Sequence, residues 1–282
     1  MKQKRTCVTV VPVGGMGNRM RVMAGAVTLQ QQLGAELKMV WFKDEGLNAS
    51  FASLFKPFDF EAVKMVDDEQ CCCVQRFDRP RRKNLYLPRL FQRLRYDACI
   101  YEKSVYGMMQ SEFDFARWAA GRDVYLATYS KFFAYAHRTL QKLFVPVDAL
   151  QRLIDKRCEG FTSHTVGVHV RRTDHVEAIQ ASPLELFYER LDAEISRCAD
   201  TRIYLATDSE EVKQDMRARY GNRIICSDEK ADRTSQAGIE EAIVELYALS
   251  RTQKIYGSFQ SSFSEIASEL GDVPLEMVCC RE

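Results

Sequence analysis

The segment TVGVHVRRTD, residues 165–174, decides the fold predicted for this chain. Its first six residues, Thr165–Val170, are mostly apolar and β-branched, which is typical of a short strand buried on both faces. Two arginines, Arg171 and Arg172, follow directly, and the carboxylate of Asp174 comes two residues later. Guanidinium groups do not fill a protein core, so the strand is expected to end here and to present these side chains to a ligand or to a charged partner.

Four further apolar runs follow this strand, and a helical pattern separates each run from the next. Strands that alternate with helices predict a parallel sheet with right-handed crossovers and four helices between its five strands. Ligands bind such a sheet at the carboxyl ends of its strands, so the residues that follow each run form the candidate site. The predicted strands are Thr165–Val170, Arg202–Ala206, Arg223–Cys226, Lys254–Gly257 and Pro274–Val278.

Two of the helices carry sequence signals for their first residues. Ser182–Glu185 has the pattern of a capping box, with Ser182 as the cap and a proline at the first helical position. Asp208–Glu211 predicts a second helix start on the same logic.

The first half of the chain predicts another α/β unit. Its βαβ pattern has a glycine turn at the carboxyl end of the first strand, and a later strand and helix precede Pro146. We therefore predict two domains, 1–150 and 151–282, with a basic insert at about 70–100 in the first. The elements are strand Cys7–Val13, the turn with Gly14, Gly15 and Gly17, a helix from Met20 to the cap Gly34, strand Leu37–Phe42, strand Val124–Thr128 and helix Phe133–Phe144.

Composition excludes several classes of protein. The chain has 282 residues and a formal charge of +1, so no overall field favours nucleic acid or an anionic membrane. No stretch approaches the roughly 20 apolar residues that cross a bilayer. Ten cysteines occur without any CxxC pair, which indicates reduced thiols in a cytoplasmic protein and no zinc site.

The two arginines favour an anion as ligand. Arginine binds phosphate oxygens bidentately and stays charged at any relevant pH, which suits a diphosphate that gains charge as its bond to a sugar breaks. A salt-bridge cluster between Arg171, Arg172 and Asp174 is the alternative that residue types alone leave open. The basic run from Arg76 to Arg95 is open in the same way, either to an acidic acceptor or to solvent.

Five segments together resemble one enzyme superfamily. Residues 169–174 match the HxRRxD motif of the superfamily that contains the α1,2-, α1,6- and protein-O-fucosyltransferases. Gly14–Arg19 resembles its N-terminal glycine turn, and Ala127–Phe133 is similar to the segment that closes the first domain in bacterial α1,2 members. Leu205–Asp208 and Ser258–Glu265 resemble its second and third donor-site motifs.

The resemblance implies a fold and a reaction. It implies the GT-B fold, with two Rossmann-like domains and a cleft between them, and a GDP-sugar donor bound by the C-terminal domain. It also implies an inverting transfer, with neither a metal nor a cofactor, of L-fucose from GDP-fucose to a glycan hydroxyl.

Donor-site roles follow from the matching positions. Arg171 is expected to hold the β-phosphate, with Arg172 in support, and Asp208 and His169 are expected near guanine, whose adjacent N–H donors suit one carboxylate. Ser261, Ser262 and Phe263 are expected in the donor site as well. The two serines lie at a predicted helix start, where N–H groups favour phosphate and where helix capping is the simpler alternative.

A general base must take the proton of the acceptor hydroxyl. Glu177 is the candidate, although the glutamate of the α1,6 members would align nearer Ile179. Asp174 is a second candidate, but two neighbouring arginines should lower the pKa of its carboxyl. His175 is a third.

The glycine turn admits another interpretation. Gly15 and Gly17 begin a dinucleotide fingerprint, but Met20 stands where its third glycine belongs, so a nicotinamide-dependent oxidoreductase is disfavoured. We expect Asn18 and Arg19, with these glycines, to face donor or acceptor. A non-catalytic protein that retains the donor pocket is the remaining alternative.

Overall fold

The structure is a computed structural model that describes residues 6–44, 46–71, 87–172, 176–229, 231–232 and 234–280. The chain divides into two compact units, Met1–Val145 and Pro146–Glu282. The division falls before the predicted limit at 150/151 because helix Asp148–Cys158 packs on helix Gln236–Leu249 of the second unit. An ion pair of 2.8 Å between Arg157 and Glu241 joins these two helices.

The first unit contains a five-stranded parallel sheet in the order β3-β2-β1-β5-β4. Helices follow the strands and cover the sheet, as the alternating pattern of a Rossmann-like unit requires. The strands are β1 (Cys7–Pro12), β2 (Glu36–Trp41), β3 (Val63–Asp67), β4 (Ala98–Tyr101) and β5 (Asp123–Thr128). The helices are α1 (Met16–Leu33), α2 (Phe51–Leu54), α3 (Leu87–Arg95), α4 (Glu102–Gln110), α5 (Phe115–Ala119) and α6 (His137–Leu143).

The βαβ unit at the start of the chain agrees with the sequence pattern, and its helix begins earlier than predicted. Helix α1 begins at Met16 in place of Met20, since Gly15 is its N-cap. It ends at Gly34, whose φ of 56° lies in the left-handed region that glycine adopts without strain. The predicted helix Phe133–Phe144 is shorter than expected and begins at His137.

The second unit contains a second five-stranded parallel sheet, in the order β10-β9-β6-β7-β8. Its central strand is Thr165–Val170, which Arg171 and Arg172 follow, and all six of its residues are buried. The strands are β6 (Thr165–Val170), β7 (Arg202–Thr207), β8 (Ile224–Cys226), β9 (Ile255–Ser258) and β10 (Leu275–Val278). The helices are α7 (Asp148–Cys158), α8 (Val176–Ala181), α9 (Leu184–Arg197), α10 (Glu210–Tyr220), α11 (Gln236–Leu249) and α12 (Ser262–Gly271).

A hydrophobic core fixes the central strands of the second unit. Val168 and Val170 of β6 pack with Phe187 and Leu191 of α9 and with Leu205 of β7. Burial of one such side chain contributes about 1.5–3 kcal/mol. The ends of β6 and β7 therefore form a firm base for the polar residues that follow them.

One predicted helix start is wrong. Helix α9 begins at Leu184 with Pro183 as its N-cap, and Ser182 does not cap it. The Ser182 hydroxyl instead accepts a hydrogen bond of 2.8 Å from the backbone N–H of Phe259. A distant segment thus competes successfully for the side chain that the local pattern assigned to the helix.

In the described ranges, no helix has the length and apolar character that crossing a lipid bilayer demands.

Candidate active site

The carboxyl ends of three adjacent strands assemble the candidate site of the second unit. Strand β6 pairs with β7 on one side and with β9 on the other. Arg171 and Arg172 follow β6, Asp208 follows β7, and Ser258 ends β9. The topology thus brings together three sequence segments that are about 40 to 90 residues apart.

Arg172 stabilises the loop that follows β6. Its guanidinium donates hydrogen bonds to the carbonyl of Arg171 at 3.1 Å and to the carbonyl of Ser182 at 2.8 Å. Its backbone N–H donates to Asp208 Oδ1 at 2.7 Å. Burial lowers the pKa of Arg172, although the carboxylates of Asp208 and Glu185 act in the opposite direction. Arg172 is therefore a bracing residue whose positive charge stays at the end of β6.

Arg171 is anchored through its main chain. Its N–H donates to Ser258 Oγ at 3.0 Å, and that hydroxyl donates in turn to the carbonyl of His169 at 3.2 Å. Ser258 is fully buried, whereas the Arg171 side chain is partly exposed. The backbone of Arg171 is thus tied to β9.

His169 contacts the start of helix α12. Its Nδ1 lies 2.8 Å from Ser264 Oγ and 3.3 Å from Ser261 Oγ. Its ring packs against the ring of Phe263, with centroids 4.8 Å apart. The structure therefore joins His169 to the serine-rich segment that follows β9. Asp208, which accepts a hydrogen bond from Arg172, follows β7 on the other side of β6.

Within the described ranges, Ser261 does not cap helix α12 with its side chain, which was the simpler of its two expected roles. Ser261 is the N-cap, yet in the described part of the chain its side chain makes no capping hydrogen bond, because its hydroxyl faces His169. Gln260, just before it, has a φ of 51°, a conformation that costs energy for a residue with a side chain. Ser262 is partly exposed in the first turn. The helix thus presents N–H groups that its cap side chain does not satisfy.

The loop after β7 is ordered by its own side chains. Ser209 is the N-cap of α10, one residue after the Asp208 cap that the sequence pattern predicted, and its hydroxyl accepts from the N–H of Val212 at 3.3 Å. Thr207 Oγ1 accepts from the N–H of Ser209 at 3.2 Å. Asp208 therefore lies between Thr207 and Ser209, and hydrogen bonds to the side chains of these two residues order the backbone of the loop.

Ser182 is a site residue that sequence reasoning missed. It is fully buried, and it joins the Arg172 guanidinium through its carbonyl and the N–H of Phe259 through its hydroxyl. It therefore links the loop after β6 to the loop after β9. The Ser-Pro pattern points to a helix start, and no signal in the sequence identifies its distant partners.

The glycine turn of the first unit gives Arg19 a structural role in place of the ligand-facing role that we expected. The side chain is fully buried. Its guanidinium donates to the carbonyl of Gly14 at 2.8 Å, to the carbonyl of Phe42 at 2.6 Å and to Asp44 Oδ1 at 2.8 Å. It also lies over the ring of Trp41, 4.9 Å from its centroid. Arg19 thus fixes the turn, and Asp44 is the long-range partner that determines this.

The remaining turn residues leave space at the carboxyl end of β1. Gly14 has a φ of 81°, which favours glycine. A Cβ on Gly15 would meet no atom within 4 Å, so this backbone is open on that side. Asn18 is partly exposed, and its Nδ2 would lie 3.1 Å from a Cβ on Gly14. Gly17 is buried in the first turn of α1.

A comparison with protein families identifies the chain. The sequence model of the family described as alpha-(1,6)-fucosyltransferase N- and catalytic domains matches residues 128–273, which include every site residue of the second unit. The chain belongs to this family. The resemblance stated from the sequence motifs is thereby confirmed, and the protein is a glycosyltransferase of the fucosyltransferase type.

Solved fucosyltransferase structures share the fold over nearly the whole chain. NodZ, an alpha-1,6-fucosyltransferase of Bradyrhizobium whose crystal was soaked with GDP-fucose, is 18% identical, with 96% of this chain and 94% of that chain covered and a TM-score of 0.67. A mutant of Arabidopsis thaliana FUT1 in complex with GDP is 15% identical, with coverage of 99% and 71% and a TM-score of 0.64. POFUT1 in complex with GDP is 14% identical, with coverage of 98% and 99% and a TM-score of 0.56. The fold class is therefore GT-B, as predicted.

Several predicted residues of this fucosyltransferase lie outside the described residues. These are Thr173, Asp174 and His175, which follow the two arginines. The backbone of Glu177 lies in helix α8, but the structure does not describe its side chain. Of the basic run, Arg93 and Arg95 are exposed on helix α3, and Arg76–Lys83 is outside the described residues.

Among the residues with described positions, no three His, Cys, Asp or Glu side chains form a group that could hold a metal ion.

Proposed function

We propose that this fucosyltransferase transfers L-fucose from GDP-fucose to a hydroxyl of a glycan, with inversion at the anomeric carbon and without a metal ion. One observation carries the proposal, namely the two arginines that the ends of β7 and β9 hold at the end of β6. The donor is favoured by the similar structures, since NodZ was soaked with GDP-fucose and the structures of a FUT1 mutant and of POFUT1 are complexes with GDP.

The arginines suit the leaving group. As the bond between the anomeric carbon and the phosphate oxygen breaks, its electron pair stays on GDP and negative charge grows on the β-phosphate. Arg171, with a partly exposed side chain on an anchored backbone, is the residue that would bind this phosphate. Arg172 keeps a second positive charge within the loop. Positive charge fixed in advance stabilises the transition state without reorganisation during the reaction.

Helix α12 supports the same anion site. Its first turn carries Ser262 and Phe263, and its N-cap hydroxyl is engaged with His169. Unsatisfied N–H groups and the helix dipole stabilise a nearby phosphate by about 0.3–1 kcal/mol. The strained φ of Gln260 is consistent with a loop that is held open for a ligand. His169 contributes here by positioning Ser261 and Ser264.

Asp208 is the proposed guanine-binding residue. Its Oδ1 accepts from the backbone of Arg172, which orients the carboxylate at the end of β7. Guanine offers N1–H and N2–H side by side, and one carboxylate accepts both, a pattern that adenine lacks. GDP would thus be selected over ADP by a residue whose position depends on the arginine loop.

The inverting step needs a base. The acceptor oxygen attacks the anomeric carbon from the face opposite GDP, and its proton passes to a carboxylate or imidazole. Glu177 is the proposed base, with Asp174 and His175 as the alternatives that follow the same strand. In the first unit, the open backbone of Gly15 and the partly exposed side chain of Asn18 are proposed to contact the donor or the acceptor, with Gly17 beside them in the first turn of α1.

A donor screen tests this proposal. The protein is incubated in excess EDTA with GDP-fucose, GDP-mannose, UDP-glucose and a mixture of oligosaccharide acceptors, and mass spectrometry detects hydrolysis and transfer. We expect GDP-fucose to be consumed and one fucose to be added to an acceptor, at a rate that Mn²⁺ or Mg²⁺ does not change. Activity that appears only with a divalent ion, or only with a UDP-sugar, would contradict the proposal.

A further inference from the structure

Tyr129 is an exposed aromatic residue in an unusual position. It directly follows β5 at the carboxyl end of the first sheet, beside the glycine turn after β1. The residue is 46% exposed, whereas aromatic residues within the strands of the same sheet, such as Trp41 of β2 and Tyr125 of β5, are fully buried. A large exposed ring at the ligand-binding edge of a parallel sheet is a candidate contact surface.

The main chain of Tyr129 is fixed on both sides. Its N–H donates to Glu102 Oε2 at 2.8 Å, and its carbonyl accepts from Arg21 Nε at 3.0 Å. Glu102 also accepts hydrogen bonds from the hydroxyls of Thr128 and Ser130, so one carboxylate binds three consecutive residues. Two charged side chains thus hold the backbone of a residue whose ring remains in solvent.

The glycine turn packs against the same residue. A Cβ on Gly14 would lie 3.5 Å from Tyr129 Cβ, and the N–H of Val13 donates to the carbonyl of Thr128 at 3.0 Å, so the two loops lie side by side. Partly exposed polar side chains nearby include Asn18, next to Gly14, and Ser130, which follows the tyrosine and whose hydroxyl also donates to Glu102. An aromatic face with an amide and a hydroxyl beside it has the character of a carbohydrate-binding surface, because sugars offer C–H groups to the ring and hydroxyls to the polar groups.

We propose that Tyr129 is a stacking platform for a pyranose ring of the glycan acceptor. The identification of this sugar as the acceptor rests on the proposed function. The acceptor class is then a sugar with a face made of C–H groups, as β-linked glucose has on both sides and galactose has on one. The fixed backbone restricts the ring to its two side-chain torsions, so little conformational entropy is lost when a sugar binds.

Saturation-transfer NMR tests the platform with cellotetraose and lactose as probes. We expect wild-type protein to transfer saturation to ring protons on one face of a pyranose. Tyr129→Ala should weaken binding about tenfold, whereas Tyr129→Trp should keep it, since both rings present an aromatic face. Tyr106→Ala is the matched control, because Tyr106 is an exposed tyrosine of the same unit on helix α4. It should bind both probes as the wild type does.

Titration with GDP in the same samples separates the two proposals. We expect all variants to bind GDP equally, which also shows that they fold. Equal sugar binding by the wild type and Tyr129→Ala, or saturation transfer from the wild type to neither probe, would overturn the platform. Sugar binding that depends on Tyr129 in a protein that does not bind GDP would uphold the platform and refute the proposed function.

Discussion

The backbone N–H of Arg172 donates a hydrogen bond to Asp208 Oδ1 at 2.7 Å, and this contact joins the ends of strands β6 and β7. It connects the proposed phosphate-binding loop to the proposed guanine-binding residue. A substitution at Asp208 can therefore act on nucleotide recognition, on the loop, or on both.

Asparagine and alanine at position 208 separate these effects. Asp208→Asn retains a carbonyl oxygen for the N–H of Arg172 but places an amide where guanine donors should bind. We expect a thermal midpoint close to that of the wild type and GDP binding weakened by roughly 10- to 150-fold, the equivalent of a charge-assisted hydrogen bond. Asp208→Ala should lower the midpoint as well. Wild-type GDP affinity in Asp208→Asn, measured by calorimetry, would rule out the guanine contact.

Arg172 should contribute to stability more than its exposed counterparts do. Arg172→Met leaves the carbonyls of Arg171 and Ser182 without their hydrogen bonds, at a cost of about 1–3 kcal/mol in the free energy of unfolding. Arg217→Met is the control, since Arg217 is 44% exposed and its ion pair with Asp228 lies on the surface. The control should change stability by less than about 0.5 kcal/mol. Urea denaturation measures the free energy of unfolding of both variants. Equal losses in the two would show that the hydrogen bonds of Arg172 do not stabilise the loop after β6.

Gly257 allows helix α12 to approach strand β9. An added Cβ would lie 2.6 Å from Ser264 Oγ and 2.7 Å from Ser264 Cβ, so Gly257→Ala must displace the helix. We expect it to cost about 1–3 kcal/mol of stability and to weaken GDP binding, because Ser264 contacts His169.

Gly107→Ala is the matched control, and we expect it to change stability in the opposite direction. Gly107 lies within helix α4, and an added Cβ there would meet no atom within 4 Å. This substitution should stabilise the protein by about 0.4–1 kcal/mol. A destabilisation by Gly107→Ala that equals that of Gly257→Ala would show that the close approach is not the cause.

The lowered pKa of Glu194 predicts that the protein loses stability as the pH falls. Its carboxyl is buried, which raises the pKa, but hydrogen bonds from Arg197, Tyr256 and Lys254 outweigh burial and lower the pKa to about 2. A pKa below its unfolded value of 4.5 means stability that is present above pH 4.5 and lost as the pH falls toward 2. Glu194→Gln should therefore destabilise the protein at pH 7 and progressively less between pH 4.5 and 3.

The exposed Glu189 on the same helix provides the comparison. Glu189→Gln should leave the urea midpoint nearly unchanged at each pH. A destabilisation by Glu194→Gln that is constant from pH 7 to pH 3 would refute the assigned protonation behaviour.

The buried strands of the chain are recognisable from local sequence, whereas strands with exposed or half-buried residues are not. The strands of the second unit could be predicted because residues such as those of β6 are all buried and mostly apolar. Strands β3 and β4 were missed, since Lys64 of β3 is exposed and Cys99 of β4 is only partly buried, which breaks the pattern.

The errors at the site share one physical cause, namely partners distant in the chain. Arg19 was expected to face a ligand because it follows glycines, but Asp44 and the carbonyl of Phe42 bind its guanidinium inside the fold. Ser182 was expected to cap a helix, but the N–H of Phe259 takes its hydroxyl. Local pattern locates polar residues at strand ends, and tertiary contacts decide which of them remain available to a substrate.

One calorimetric comparison tests the central claim that Arg171 binds the β-phosphate of GDP. GDP and GMP, which differ in that phosphate, are titrated into the wild type, Arg171→Ala and the exposed-site control Arg117→Ala. We predict that Arg171→Ala weakens GDP binding by roughly 10- to 150-fold, changes GMP binding little, and that the control binds both as the wild type does. Unchanged GDP affinity in Arg171→Ala, or an equal loss for GDP and GMP, would contradict the account.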